Sequence, residues 1–521
     1  MDTKALRQKV LDLAIRGKLV PQDPNDEPAS VLLERIRLQK QQMVKEGKLK
    51  PKDIKNDTII FVGEDSLHYE KFADGSVKCI EDEIPFDLPE GWAWVRLGSI
   101  AGMALGKMLD GAKNKGSLRP YLRNINVRWG TFELSDVLEM RFEDSELERY
   151  SICHGDLVIC EGGEPGRCAV WQSEEVVFYQ KALHRVRAIE VLPEYLYYVI
   201  RHFILSNQYE RYYTGSTIKH LTGQSLQILP IPLPPLSEQR SIVKILQRII
   251  KSIDKIETEK NEALSLVSLA KSKVLDLAIR GQLVPQDPTD EPASILLERI
   301  RAEKEELIRQ GRIKRDKRES IIFRGEDNSY YEKVGSRAKN IDDQIPFELP
   351  DGWAWCRGYS CFDGMESNKP TGDFFDYIDI DAIDNRLHRI KAAKHLPVSE
   401  APSRASRAVH NGSVLFSLVR PYLENIALVE ERYSHCIVST GFYVCNSNGV
   451  LLPEFMFFLM ISGYVVNGLN QFMKGDNSPS ISKEDIESWL YPIPPLDEQK
   501  SICVKLNTVF TLLENLEKSL I

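Results

Sequence analysis

No run of apolar residues in the 521-residue chain approaches the 18 or so that a membrane-spanning helix needs, and the N-terminus carries no signal-peptide pattern. Cysteine is sparse and scattered. There are nine, an odd number, with no CxxC pair. Cys356 and Cys361 are the nearest approach to ligand spacing, so structural zinc is not expected and a reduced, cytoplasmic setting is. Catalytic signatures are missing as well: no GxxxxGK[ST] phosphate loop, no HExxH, no GxSxG elbow, no Asn-Pro-Pro-Tyr segment and no acidic helicase box. A formal net charge of −8 means that the surface as a whole does not attract nucleic acid, so such binding has to come from local basic patches. The length suits three or four folding units, and 42% hydrophobic with 28% charged residues is ordinary for a soluble globular chain.

What the chain does have is a long heptad seam at its centre. Ile242, Leu246, Ile249, Ile253, Ile256, Ala263, Val267, Ala270, Val274 and Leu277 alternate at spacings of four and three, with Lys260 the one polar seam position. Pro234 and Pro235 precede the seam and Gly281 follows it, which predicts one helix whose seam spans roughly 50–55 Å. The two ends of the chain repeat its halves. Ile502, Leu506, Val509, Leu513, Leu516 and Leu520 copy the first half, and Leu6, Val10 and Leu13 copy the second. The pattern predicts that the termini together form a composite helix packed on the central one.

The repetition extends beyond the helices. Residues 8–37 recur at 272–301 with 26 of 30 positions identical, which is an internal duplication. Each copy reads as helix, Gly stop, Pro-rich turn and a second helix with Ser30 or Ser294 as its N-cap. Turn-rich segments 61–90 and 323–350 follow, and each leads to LP-x-GWAW, where Trp92, Trp94, Trp353 and Trp355 alternate as strand core anchors. Two stretches of about 140 residues come next (91–235 and 352–495), in which the duplication nearly vanishes. Both mix short strands (155–160, 168–171, 413–419) with apolar helices (193–206, 453–468), and both close on a proline-punctuated strand and PPL-x-EQ. The boundaries are therefore 1–85, 86–235, 236–346, 347–495 and 496–521. The fold class is α+β: two mixed α/β modules separated by a long antiparallel coiled coil, in circular pseudo-twofold order.

Basic and polar clusters sit inside the variable modules. The first holds Lys107, Lys113, Lys115, Arg119, Arg123 and Arg128, with Tyr121 and Asn124 interleaved. The second holds Arg386, Arg389, Lys391, Lys394, Arg404 and Arg407. Gly/Ser/Thr loops form a third kind, with Ser216, Thr217 and Lys219 in one module and Lys474, Asn477 and Ser478 in the other. The segment Glu161–Gly166 reads as a tight β-turn with Arg167 as a basic tip. Hydroxyls and backbone N–H groups on such loops suit phosphate oxygens, and Arg, Asn and Lys suit base edges. Taken one at a time, each of these clusters reads better as an ordinary surface loop. Their occurrence in both modules favours DNA.

The combination resembles the specificity subunit of type I restriction–modification enzymes. The likeness rests on modules opening with GWAW and closing with PPL-x-EQ, on the long helices and on the circular repeat. The segments AIRGKLVPQDPNDEPASVLLERI and AIRGQLVPQDPTDEPASILLERI are similar to an extended branch of that family. The resemblance implies that 86–235 and 347–495 are target recognition domains, each reading one half of a split, asymmetric DNA site, with the helices setting the gap between halves. It implies two methyltransferase subunits and restriction/translocase subunits as partners. S-adenosylmethionine, ATP and Mg²⁺ would be bound by those partners and none by this chain, which would be non-catalytic. The family also supplies adenine as the base methylated. The competing expectation is an assembly scaffold whose two modules bind proteins.

Overall fold

In a computed structural model, which describes residues 2–520, the chain forms two compact units that divide at Glu259 and Lys260, inside the central helix. That helix is continuous from Leu236 to Ile279. It stops where expected: Gly281 takes a φ of +65°, and Gln282 N donates to Leu277 O at 2.8 Å.

Both units use one element order. The first runs through helices Thr3–Ile15 and Ala29–Lys45, a three-stranded antiparallel meander (Ile59–Val62, His68–Lys71, Val77–Cys79) and strand Ala93–Arg96. Its variable module follows. Strand Pro230–Leu233 then returns antiparallel to Ala93–Arg96 and feeds the first half of the central helix. The second unit begins with the other half of that helix. It continues through helix Ala293–Arg309, a meander (Ser320–Arg324, Tyr330–Val334, Arg337–Asn340), strand Ala354–Arg357, its module, strand Leu490–Ile493 and helix Leu496–Leu520.

Three details differ from the sequence expectation. The turn-rich segments are the meanders, whose strands of three to five residues are too short to show a period. The second helices start at Ala29 and Ala293 with Pro28 and Pro292 at the cap and no side-chain capping bond, so Ser30 and Ser294 are not caps. The first N–H of each helix is satisfied by backbone instead: Ala29 N donates to Gly91 O and Ala293 N to Gly352 O, both at 2.8 Å. The apolar segment from 453 is two helices, Pro453–Met460 and Gly463–Asn470, because Ser462 caps the second through Val465 N.

A buried joint explains why GWAW and PPL-x-EQ recur together. Trp92 Nε1 donates to Glu238 Oε2 at 2.8 Å, and Gln22 Nε2 donates to Glu238 Oε1 at 3.1 Å and to Gly17 O at 2.6 Å. In the second unit Trp353 Nε1 donates to Glu498 Oε2 at 2.9 Å, and Gln286 Nε2 to Glu498 Oε1 at 3.1 Å and Gly281 O at 2.5 Å. The neighbouring glutamine ties in the module. Gln239 Oε1 accepts from Leu192 N at 3.0 Å and Gln499 Oε1 from Leu452 N at 2.7 Å, each just ahead of a module helix. Burial raises the Glu238 and Glu498 carboxyls above the ordinary glutamate range. Their contribution is therefore present in acid and declines as pH rises through the raised value.

Apolar packing completes each joint. Trp92, Trp94, Trp353 and Trp355 are all buried, as core anchors should be. Fully burying such side chains contributes about 1.5–3 kcal/mol each. In the first unit Val10, Leu11 and Ala14 share a core with Ile242 and Leu246, and Arg7 Nη2 reaches Asp254 Oδ1 at 2.6 Å. In the second, Leu275 and Ala278 share a core with Ile502 and Leu506, and Lys271 Nζ meets Glu517 Oε2 at 3.0 Å. The terminal helices thus pair with the central one, each inside its own unit.

The modules share a scaffold despite their divergence. Each holds two four-stranded sheets. One sheet is antiparallel throughout, with the central pair Leu157–Cys160/Leu183–Ala188 or Val414–Ser417/Phe442–Ser447. The other is built around one parallel pair, Ser117–Leu122/Val177–Tyr179 or Phe374–Ile378/Ile437–Ser439.

A Cβ on Gly17 would lie 2.4 Å from Pro89 Cγ, and one on Gly281 2.4 Å from Pro350 Cγ, at a φ of +65° in each. Gly17→Ala and Gly281→Ala should therefore each cost about 2–4 kcal/mol, read as a lower urea midpoint by tryptophan fluorescence.

Candidate nucleic-acid interface

The structure gathers many of the singled-out residues on one loop edge of each module, through backbone bonds the sequence does not announce. In the first module Lys107 O accepts from Lys181 N at 2.8 Å, Glu161 N donates to Ala182 O at 2.9 Å, and Glu161 O accepts from Leu221 N at 2.8 Å. Loops 107–116, 180–182, 161–167 and 214–220 are thereby laced in one row. His184 fastens the base of the last loop, its Nε2 lying 3.0 Å from Leu221 O. Burial lowers the His184 pKa, so the ring is neutral and Nε2–H is the donor to that carbonyl.

The second module repeats the last two of these bonds, while the first is replaced by one to a different loop, the residue before strand Ala405–Ala408. Thr440 N donates to Arg404 O at 2.8 Å, Leu418 N to Gly441 O at 2.8 Å, and Ile481 N to Leu418 O at 2.9 Å. Glu161 and Leu418 are therefore equivalent positions, each directly after a central strand. The tip loops correspond as well. Thr214 and His220 exchange both backbone bonds, at 2.9 and 2.8 Å, as Lys474 and Ser480 do at 3.0 and 2.9 Å. Each pair holds out a five-residue tip with a glycine at its first position, Gly215 or Gly475.

Side by side with these loops, the candidates sort into two groups. Lys113, Lys115 and Arg119 are exposed, and Lys115 and Arg119 have no ion pair among the described residues. Ser216, Thr217, Asn477 and Ser478 stand exposed on the two tips. Lys219 is exposed too, although its ammonium is paired with Glu210. Arg404 and Lys474 are exposed without a carboxylate partner among the described residues. Arg389 and Lys391 are exposed at the hairpin Ile383–Asp384/Arg389–Ile390, whose turn touches the row through Asn385 Nδ2 and Leu423 O at 2.8 Å. Arg386 on that turn leans away, with Nη2 3.7 Å from Glu517 on the C-terminal helix.

Several candidates serve the fold instead. Tyr121 is 3% exposed and packs with Met140, Phe142 and Phe178, so it cannot stack on a base. Lys107 is 6% exposed. Its ammonium is paired with Glu146, donates to Arg141 O at 3.0 Å and lies 5.1 Å from the Phe142 ring centre. Arg167 is not a tip. It folds back, with Nη1 2.6 Å from Glu164 Oε2 and Nη2 donating to Asn124 O at 2.8 Å, so it braces the turn and Asn124 together. Arg123 Nη2 donates to both the backbone and carboxylate of Asp136, at 2.8 and 2.7 Å. Arg407 is half-buried on strand Ala405–Ala408. Charge counting includes the four cations because it cannot see burial or an existing partner.

Sequence reasoning passed over one segment of the row, Arg420–Glu424, which joins the tip loop through Arg420 N to Pro479 O at 2.8 Å and Arg420 Nη2 to Asn477 O at 3.0 Å. The signal available was its place after Val414–Ser417, the position that Glu161–Arg167 holds after Leu157–Cys160.

Among the described residues no group of three or more His, Cys, Asp or Glu is arranged to hold a metal ion, and no helix is long and apolar enough to cross a membrane. Comparison with known proteins agrees with this picture. Residues 89–266 match the type I restriction modification DNA specificity domain. The chain is 26% identical to the EcoEI specificity subunit of Escherichia coli, over 99% of this chain and 90% of that one. It is also 26% identical to the EcoAI specificity subunit of the same organism, over 97% and 88%. A chain solved in work on complex assembly and conformational transition of the type I R-M system shares the fold, with a TM-score of 0.59 and 18% identity over 84% of this chain and 94% of that one. A duplicated frame holding two modules, each with a laced polar loop edge, joins these likenesses in one conclusion: residues 89–266 form a DNA specificity domain of the type I restriction–modification kind, and the chain as a whole is similar to the specificity subunits of such systems.

Proposed function

We propose that this chain gives a type I restriction–modification enzyme its DNA specificity, each module laying its laced loop edge on one half of a split, asymmetric double-stranded site. The observation that carries this reading is that two modules of unlike sequence present the same two tied loops at the same place on the same scaffold. A repeated frame with unlike edges suits two readings of one polymer better than two protein contacts.

Exposed Lys115, Arg119, Arg404 and Lys474 contact phosphates and set the register, while the polar tips reach base edges. The chain itself is non-catalytic and holds no cofactor. Methyltransferase subunits bring S-adenosylmethionine, and restriction/translocase subunits bring ATP and Mg²⁺, in the cytoplasm. Leu266, Leu269, Val504 and Leu512 are exposed on the long helices of the second unit and suit docking of a partner there.

Deleting this chain alone from cells that keep its methyltransferase should abolish adenine methylation at a split asymmetric motif with one fixed gap, read by genome-wide methylation mapping. Unchanged methylation would favour the scaffold. In the purified complex, Arg119→Gln, Arg404→Gln and Lys474→Gln should each lower the slope of log K against log salt by about 0.9. Lys107→Met should leave the slope alone and lower the unfolding midpoint.

A further inference from the structure

The turn after the equivalent central strand differs between the modules in a way that packing does not explain. In the first module it runs from Glu161 to Arg167, and two of its positions are left-handed: Gly163 at φ +78° and Gly166 at φ +89°. In the second it runs from Leu418 to Asn425, one residue longer. Counted from the shared start, the third position is Arg420 at φ +48°. Counted back from the shared end, the next-to-last is Glu424 at φ +54°. The backbone path is kept, but glycine is replaced at both left-handed positions by residues with a Cβ. Such residues raise the free energy of the folded state, and they persist where the side chain is needed for something else.

Glu424 Oε2 lies 3.8 Å from His388 Nε2, a contact within the fold, whereas the fold makes little use of the Arg420 side chain. Arg420 has one side-chain hydrogen bond, to Asn477 O at 3.0 Å, and no carboxylate partner among the described residues. The tip between the two strained residues is Pro421–Leu423, with Tyr422 46% and Leu423 39% exposed. Tyr422 has no aromatic partner among the described residues. A guanidinium and a phenol ring are thus held out on a stiff turn, bonded to the Lys474–Ser480 loop on one side and to Asn385 of the basic hairpin on the other.

We propose that Arg420–Glu424 is the sequence-reading element of the second module, with Arg420 and Tyr422 contacting base edges of its half-site. This rests on the DNA-specificity reading above. The guanidinium fork matches the paired acceptors on a guanine edge in the major groove, and the ring offers an apolar face to a thymine methyl or an unstacked base. The first module's Gly-Gly-Glu-Pro-Gly turn offers neither group, so the two halves are read by different parts of the edge. Local rigidity matters here, because a side chain on a strained, doubly tied turn loses little freedom on binding.

The test uses the full complex with its methyltransferase subunits and the site found by methylation mapping. Arg420→Gly removes the left-handed penalty, so its unfolding midpoint should stay level or rise. Methylation at the cognate site should fall about 10- to 100-fold, the loss expected for one misread base pair, and the preference should relax in one half-site only. Arg420→Lys should relax the same position while keeping the salt slope. Tyr422→Ala should alter the same half-site with no change in unfolding midpoint. The inference is overturned if the variants keep wild-type rate and preference, or if Arg420→Gly loses stability and methylation together, which would make Arg420 a brace. A wild-type complex that recognises no split site would overturn the function reading itself. A wild-type complex that recognises one, beside variants that do so equally well, would overturn only this inference.

Discussion

Everything in each unit hangs on one buried carboxylate at the start of a long helix. Glu238 and Glu498 each accept from a tryptophan indole and a glutamine amide. Three segments far apart in sequence meet there: the Pro-rich turn after the first helix gives the amide donor, the residue before the strand that opens the module gives the indole donor, and the long helix brings the accepting carboxylate. A buried carboxylate left without donors costs far more than a hydrogen bond gains. The three segments must therefore close together or not at all. The adjacent Gln239 and Gln499 extend the constraint to the module helices.

The joint also separates two kinds of freedom. Inside it, residues are fixed by packing and by hydrogen bonds that tolerate few substitutes. Gly17 and Gly281 are left-handed and in contact with a proline ring. Outside it, a module has to supply only an entering strand, a leaving strand and a helix start that can donate to the glutamine. That explains how the frames stay 26 of 30 identical over their best-matched segment while the modules share a topology and little sequence.

Much of this was legible in the chain, for identifiable reasons. Heptad spacing, Gly stops and an internal repeat with 26 of 30 positions identical are patterns of residue type, and they gave the central helix and the paired terminal helices. Trp92 and Trp353 were recognisable as core anchors by their alternation. The meanders escaped because strands such as Arg337–Asn340 are wholly exposed and carry no apolar period. The make-up of the laced loop edge was half legible. Composition found Arg119, Arg404 and the two tips, but it could not show that Glu146 holds Lys107 or that the Phe178 side of the sheet buries Tyr121. Arg420–Glu424 was missed because a backbone angle leaves no mark in residue type when glycine is absent.

Each unit is also a contiguous length of chain, and two near-identical frames in one polypeptide invite the wrong helix to dock in the wrong joint. Synthesis order resolves the ambiguity. Residues 8–37 emerge well before their copy at 272–301. The last part of the first joint, Glu238, is made 34 residues before position 272 (272 − 238), and at roughly 5–20 residues per second that lead is on the order of 2–7 s, longer than the folding of many small domains. The first joint closes on the only partners yet made, and its surfaces are already buried when the copy leaves the ribosome. The same chain refolded from denaturant loses that order, and it would have to sort the two frames against each other.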